Sequence, residues 1–243
     1  MDIIVQKFGG SSVANTEKLL NVCKHIIKEK ENGKELVVVV SAQGHTTDNL
    51  IEEEKEITEN ASKREHDVLV TVGEQITIAK LAMCLQKLGY EATSLLAWQL
   101  PIITDSNYGD ANIIEIKTNR IMQELDKSRI VIVAGFQGID KNNNVTTLGR
   151  GGSDTTAIAL ADALKAEKCE IYTDVDGVYS ADPNKDPNAV KFDKITYEKM
   201  LDMANNGAKV LHNKCVKLAQ EKNVKIVVKS TFEEESIGTL VEN

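Results

Sequence analysis

The sequence is poor in the residues that build disulfide scaffolds, metal centres and membrane spans. Its four cysteines (Cys23, Cys84, Cys169, Cys215) and four histidines (His25, His45, His66, His212) are scattered over 243 residues. No C-x-x-C pair and no H-E-x-x-H spacing occurs, which argues against a structural zinc site and for reduced, buried thiols. Continuous apolar runs such as Leu36–Val40 are strand-sized and too short to cross a bilayer. After Asp2 the only early apolar run is Ile3–Val5, too short for a signal sequence, so a cytoplasmic location without a membrane partner is expected. A basic surplus is also missing. The formal charge of -8 argues against a nucleic-acid partner, although a few local cations and backbone N–H groups still suffice to hold a phosphorylated ligand.

The composition, 42% apolar and 27% charged, is that of a globular protein, and the length suits one large α/β domain or two tightly joined lobes. Ile3–Val5 reads as a strand entering the turn Gly9-Gly10. A helix from about Thr16 follows, with Leu19, Leu20, Cys23, Ile26 and Ile27 at helical spacing, capped by Asn15 or Thr16 and stopped at Asn32-Gly33. Leu36–Val40 reads as a strand buried on both faces. Glu52–Asp67 reads as a solvated helix plus a connection, and Val68–Val72 as a short apolar run before a helix opened by Gly73-Glu74 and ended near Gly89. Further strands are expected at Ala92–Trp98, Ile130–Ala134, Cys169–Thr173 and Val224–Val228. Helices are expected at Thr155–Leu164, Tyr197–Ala204 and Asn213–Lys222, a polar hairpin tip at Asp140–Asn144, and a long loop at Asp174–Pro187. Alternating strands and helices imply a mostly parallel sheet covered on both faces, with ligands beyond the carboxyl ends of the strands.

Three segments carry chemistry. In Lys7-Phe8-Gly9-Gly10-Ser11-Ser12, glycines after a strand let backbone N–H groups approach an anion, and Lys7 adds a point charge suited to phosphate. Alone, the segment reads equally as a tight strand-to-helix turn. In Gly149-Arg150-Gly151-Gly152-Ser153-Asp154 the glycines allow an N–H nest at a helix start, and Arg150 offers a planar fork matched to a carboxylate. Asp154 either receives an ammonium group or caps the helix. This is neither G-x-G-x-x-G nor a P-loop. In Tyr172–Pro183 three acids and two tyrosines follow a strand, at a spacing that does not fit a calcium loop. Ser41–Gly44 with Thr46-Thr47, and Gly73-Glu74, are smaller signals; Glu74 by itself is also a carboxylate favoured at a helix start.

Taken in order, these segments resemble the aspartate kinases, a branch of the amino acid kinase family, over essentially the whole chain. The likeness runs through Lys7, Ser41–Gly44 with Thr47-Asp48, Gly73-Glu74, Thr147–Asp154 and Thr173–Pro183 to Gly207–His212. The arginine-bearing glycine loop and the aspartate-rich loop set it apart from glutamate, acetylglutamate and uridylate kinases. The short charged connection before Glu74 is similar to the compact catalytic domains of Gram-positive bacteria.

The resemblance implies a three-layer αβα sandwich with a mostly parallel central sheet. It implies a single catalytic domain over 1–243, with an aspartate-binding lobe at roughly 1–140 and a nucleotide-binding lobe at 141–243. The family usually continues into paired ACT-type regulatory modules where this sequence stops, so a trimmed catalytic domain or a natural short form without its own regulatory domain is expected. The implied reaction converts ATP and L-aspartate to ADP and 4-phospho-L-aspartate, the entry to lysine, diaminopimelate, methionine and threonine synthesis. Lys7 and Asp154 would be catalytic. Thr47, Glu74, Arg150, Gly151, Gly152, Ser153 and Asp154 would bind aspartate. Lys7, Phe8, Gly9, Gly10, Thr173, Asp174, Tyr179, Asp182 and Lys209 would bind ATP, with Mg²⁺ carried by the nucleotide rather than by a dedicated protein cage. A homodimer is implied, and a separate regulatory subunit is left open beside it. Asn184-Lys185 and Asn213-Lys214 depart from the arginine and Pro-Arg usual at those places. An inactive nucleotide-binding homologue and a kinase for a related acidic amino acid are the competing readings. A dinucleotide oxidoreductase fails on the spacing of its third glycine and of its ribose-binding acid.

Overall fold

The computed structural model describes residues 1–181, 186, 188–205, 210–233 and 235–243. Its centre is an eight-stranded sheet in the order β10-β12-β11-β9-β1-β2-β6-β3. The strands are β1 (Ile3–Phe8), β2 (Glu35–Val40), β3 (Ala92–Leu95), β6 (Ile130–Ala134), β9 (Lys168–Thr173), β10 (Lys194–Ile195), β11 (Ile226–Ser230) and β12 (Thr239–Val241). All neighbours run parallel except β11 and β12. Strands from both halves of the chain pair directly, β1 with β9 and β2, so one sheet joins the two lobes expected from the sequence.

The unbroken apolar run of β2 has the physical reason expected of it. Val37 and Val39 point into one core, and Leu36, Val38 and Val40 into another. The second core is closed by α1 (Thr16–Glu31) and α4 (Val72–Lys87), through Leu19, Val22, Cys23 and Ile26 and through Ile78, Leu81 and Leu85. The first is closed by α5 (Asn119–Leu125), α6 (Gly152–Ala163), α7 (Tyr197–Asn205) and α8 (Asn213–Lys222). The Asn15 side chain accepts the Lys18 N–H at 2.9 Å and caps α1, and Gly33 follows its end with a φ of +80°.

Several boundaries and one whole layer differ from the sequence reading. The charged segment forms two helices, α2 (Thr46–Ile57) and α3 (Lys63–Val70), and the Val68–Val72 run is helical, spanning the end of α3 and the start of α4. Helix α6 starts at Gly152 rather than Thr155, which places Ser153 and Asp154 in its first turn. A second sheet, in the order β5-β4-β7-β8, consists of β4 (Ile102–Thr104), β5 (Ile113–Ile116), β7 (Gln137–Ile139) and β8 (Val145–Thr147). These strands of three or four residues are too short to show alternation. Asp67, fully buried on α3, ties that helix to β8 by accepting the Thr147 N–H at 2.9 Å, the Thr147 hydroxyl at 2.9 Å and the Gly109 N–H at 3.0 Å. The arginine-bearing loop therefore follows β8 of the small sheet, and Gly73 follows a helix. The glycine turns thus come from different layers of the fold rather than from one edge of the main sheet.

Candidate functional site

The glycine turns nevertheless converge. A cleft of about 310 Å³ opens beyond the carboxyl ends of β1 and β2, lined by Lys7, Gly9, Gly10, Ser41, Thr47, Glu74, Phe136, His212 and the whole segment Gly149–Asp154. A larger groove of about 550 Å³ lies over the small sheet beside Trp98 and Ile103 and shares no lining residue with this cleft.

Lys7 is the penultimate residue of β1, and its ammonium sits 2.6 Å from Oδ1 of Asp154 in the first turn of α6. Both side chains are about nine-tenths buried, at 12% and 10% exposure. The pair joins the first motif to the second on the wall of the cleft. The backbone around it is built for close approach. A Cβ on Gly10 would stand 2.7 Å from the Ala42 carbonyl, and one on Gly73 only 2.5 Å from the Ala42 Cβ. Gly149 and Gly151 have φ of +72° and +71°, which glycine alone adopts at no steric cost, and a Cβ on Gly151 would meet the His212 ring at 2.6 Å.

Glu74, in the first turn of α4, is 3% exposed. One carboxylate oxygen accepts the Ala42 N–H at 3.0 Å, and the other is buried with no partner among the described residues. Burial pushes its pKa up to about 7, against which the Ala42 N–H pulls only partly. A buried half-satisfied carboxylate beside a cavity is suited to a cationic ligand group. Arg150 lines the same cleft, exposed and without a hydrogen-bond or ion-pair partner among the described residues, so its fork is open to an anion. Thr47, the second residue of α2, is half-buried at the rim.

Of the expected nucleotide residues, Lys7, Gly9 and Gly10 line the cleft. Phe8 does not: its ring is fully buried, stacked on Tyr172 at 4.5 Å between centroids, because the last residue of β1 faces the α1 core. That ring is unavailable to a ligand. Thr173, Asp174 and Tyr179 lie outside the cleft lining, at and beyond the end of the adjoining strand β9, whose Tyr172 is in register with Phe8. The Thr173 hydroxyl donates to Asp174 at 2.9 Å, and Tyr179 and Lys191 both donate to Asp176 at 2.8 Å. Asp182 and Lys209 fall outside the described residues.

Ser41, Phe136 and His212 line the cleft without having been singled out as site residues. Ser41 and His212 stand within quoted motifs. Phe136 carries no sequence signal. Its φ of +70° is strained for a ring-bearing residue and is held by the Leu148 N–H donating to its carbonyl at 2.9 Å.

The sequence profile of the amino acid kinase family matches residues 2–230. An aspartokinase of Bacillus sp. (strain MGA3) is 52% identical over 242 residues, covering 100% of this chain and 59% of that protein. The chain thus spans well under two thirds of the curated relative's length. Among solved structures, aspartate kinase from Synechocystis superposes with a TM-score of 0.88 at 42% identity, over 99% of this chain and 39% of that one. E. coli aspartokinase III, solved in complex with aspartate and ADP, superposes with a TM-score of 0.88 at 27% identity, over 100% of this chain and 65% of that one.

Proposed function

The chain belongs to the amino acid kinase family, and on that premise we propose that it transfers the γ-phosphoryl group of MgATP to the side-chain carboxylate of L-aspartate, giving ADP and 4-phospho-L-aspartate. The observation that carries the reading is the cleft wall, where the Lys7–Asp154 pair stands with the unpartnered oxygen of Glu74 and the open fork of Arg150. These groups match an acceptor with one ammonium and two carboxylates. Glu74 receives the ammonium and ionises as it does so. Arg150 takes the α-carboxylate. The acceptor carboxylate is ionised near neutral pH and needs no base to attack phosphorus.

Lys7, at the end of β1 beside Gly9 and Gly10, neutralises the oxygens of the phosphoryl group in flight. Asp154 holds the lysine ammonium in place. Such a site works by positioning and by charge rather than by covalent chemistry. Gly9 and Gly10 receive the phosphates. Thr173, Asp174 and Tyr179, at and beyond the end of the adjoining strand β9, would take the nucleoside end, a role that the sequence also gives to Asp182 and Lys209. The proposal extends to a role opening lysine, diaminopimelate, threonine and methionine synthesis, to a soluble cytoplasmic setting and to a homodimer, with room for a separate regulatory subunit.

The test is an ATP-dependent acyl-hydroxamate assay with aspartate, glutamate and N-acetylglutamate. Turnover with aspartate alone is expected. Preference for N-acetylglutamate would overturn the roles given to Glu74 and Arg150, since that acceptor has no ammonium. No turnover with any of the three would leave an inactive homologue.

A further inference from the structure

The Gly9–Gly10 turn is held from two sides. On the acceptor side the Ser41 N–H donates to Phe8 O at 3.2 Å, the Gly44 N–H donates to Gly10 O at 3.0 Å, and backbone meets backbone with no room for a Cβ at Gly10. On the other side the tie is a pair of hydroxyls. Ser12, in the single 3₁₀ turn Gly10–Ser12 and fully buried, lies 2.7 Å from the hydroxyl of Thr231, which is 1% exposed.

Thr231 follows the last residue of β11, two strands away from β1. Its own N–H donates to Thr173 O at 2.9 Å, just past the end of β9's pairing with β1. Its carbonyl accepts from Asn21 Nδ2 at 2.7 Å and from His25 Nε2 at 2.9 Å, both on α1. Every polar group of this buried residue is thus engaged, and its partners lie on β9, on α1 and in the turn. Valine would fill the same volume. A buried hydroxyl at this place is useful only through the hydrogen bond it makes.

We propose that Thr231, through its hydroxyl pair with Ser12, is a positioning residue that sets the Gly9–Gly10 turn against the Thr173–Asp174 strand end and so governs affinity for the nucleotide. The proposal rests on the reading that these two segments hold the phosphates and the nucleoside of ATP. Backbone N–H groups bind phosphate only at well-defined distance, so loosening the turn by a fraction of an ångström weakens binding without removing any contact residue.

The experiment measures binding of ADP with Mg²⁺ by calorimetry, together with KM for ATP and for aspartate, in the wild-type chain and in Thr231→Val, Thr231→Ser and Ser12→Ala. Thr231→Val and Ser12→Ala are expected to weaken ADP binding about tenfold, the loss of one buried hydrogen bond. KM for ATP should rise by the same factor while KM for aspartate stays unchanged. Thr231→Ser restores binding, and the double variant is no weaker than either single one, because both remove one bond. Unaltered ADP affinity in the two single variants overturns the proposal. So does a parallel rise in KM for aspartate, which marks general loosening of the fold. If Thr231→Val does not fold, Ser12→Ala decides the matter. The titration needs no turnover, so a wild type that binds ADP but phosphorylates no aspartate sinks the acceptor reading alone. A wild type that binds no ADP sinks both.

Discussion

Two carboxylates of this chain, Glu74 and Glu170, are almost wholly withdrawn from water, at 3% and 0% exposure, and they titrate in opposite directions. Burial pushes Glu74 up to about 7, because only backbone N–H groups oppose it and one oxygen has no partner among the described residues. Burial pushes Glu170 up as well, but Lys229 and Lys168, at 2.8 and 2.9 Å, outweigh it and bring it down to about 2. Gln6 and Tyr172 donate to its other oxygen at 3.0 and 3.1 Å. Burial alone therefore says little about the state of an acid; the partners supplied by neighbouring strands decide it. Glu170 is a closed structural network between β9, β1 and β11. Glu74 is left open, with one buried oxygen unpartnered among the described residues beside the cleft, which is the ground for proposing it as a ligand-binding group.

The largest effect expected is at the open site. Lys7→Ala should lower kcat by about a thousandfold, in line with loss of a charge that acts on the transition state, while circular dichroism remains native. A near-normal kcat would break the assignment of the cleft as the reacting centre.

At the closed site the effect should be on stability. Lys229→Met removes one of two cations from a fully buried carboxylate and should cost about 3 kcal/mol in urea unfolding, with nucleotide-independent Tm loss. A cost below about 1 kcal/mol would mean that Lys168 suffices and that the network is redundant. The depressed pKa also sets a pH window. Glu170 contributes stability above its ordinary 4.5 that is lost as pH falls towards about 2.

Glu74 has the opposite sign. Folded, it keeps its proton from 4.5 up to about 7, so the folded state binds more protons in that range and stability falls as pH rises through it. Glu74→Gln should therefore raise stability at pH 8 by on the order of 1–3 kcal/mol while raising KM for aspartate, and should flatten the rise in wild-type KM expected as pH drops below about 7. A destabilised Glu74→Gln at pH 8 would show that the carboxylate is structural, erasing the contrast with Glu170. The smallest effect is at the rim. Arg150→Lys should raise KM for aspartate by about tenfold with kcat little changed, because a point charge replaces the planar fork. An unchanged KM would remove Arg150 from the acceptor site.

Much of this was legible in sequence because it depends on local chemistry. The five apolar residues of β2, the capped α1, the helix at Asn213–Lys222 and the glycine loops each follow from residues close together in the chain. Lys7, Gly9, Gly10, Glu74 and Arg150 stood out for the same reason, as charged groups beside residues that let backbone come near. The second sheet was not legible, since its strands of three and four residues carry no periodicity and are held by partners such as Asp67 far away in the chain. The burial of the Phe8 ring against Tyr172 was not legible either, because the stacking partner is supplied by β9, far along the chain.

What the sequence determined by itself was the alternation of elements and the set of charges available. What only the tertiary structure decided was which charges meet. Lys7 and Asp154 are 147 residues apart in the chain and form one ion pair, and the buried carboxyls of Glu74 and Glu170 are shifted in opposite directions. The reason is that solvent exclusion and partner geometry, which set the energy of a buried charge, arise from elements brought together across the sheet rather than from neighbours along the chain.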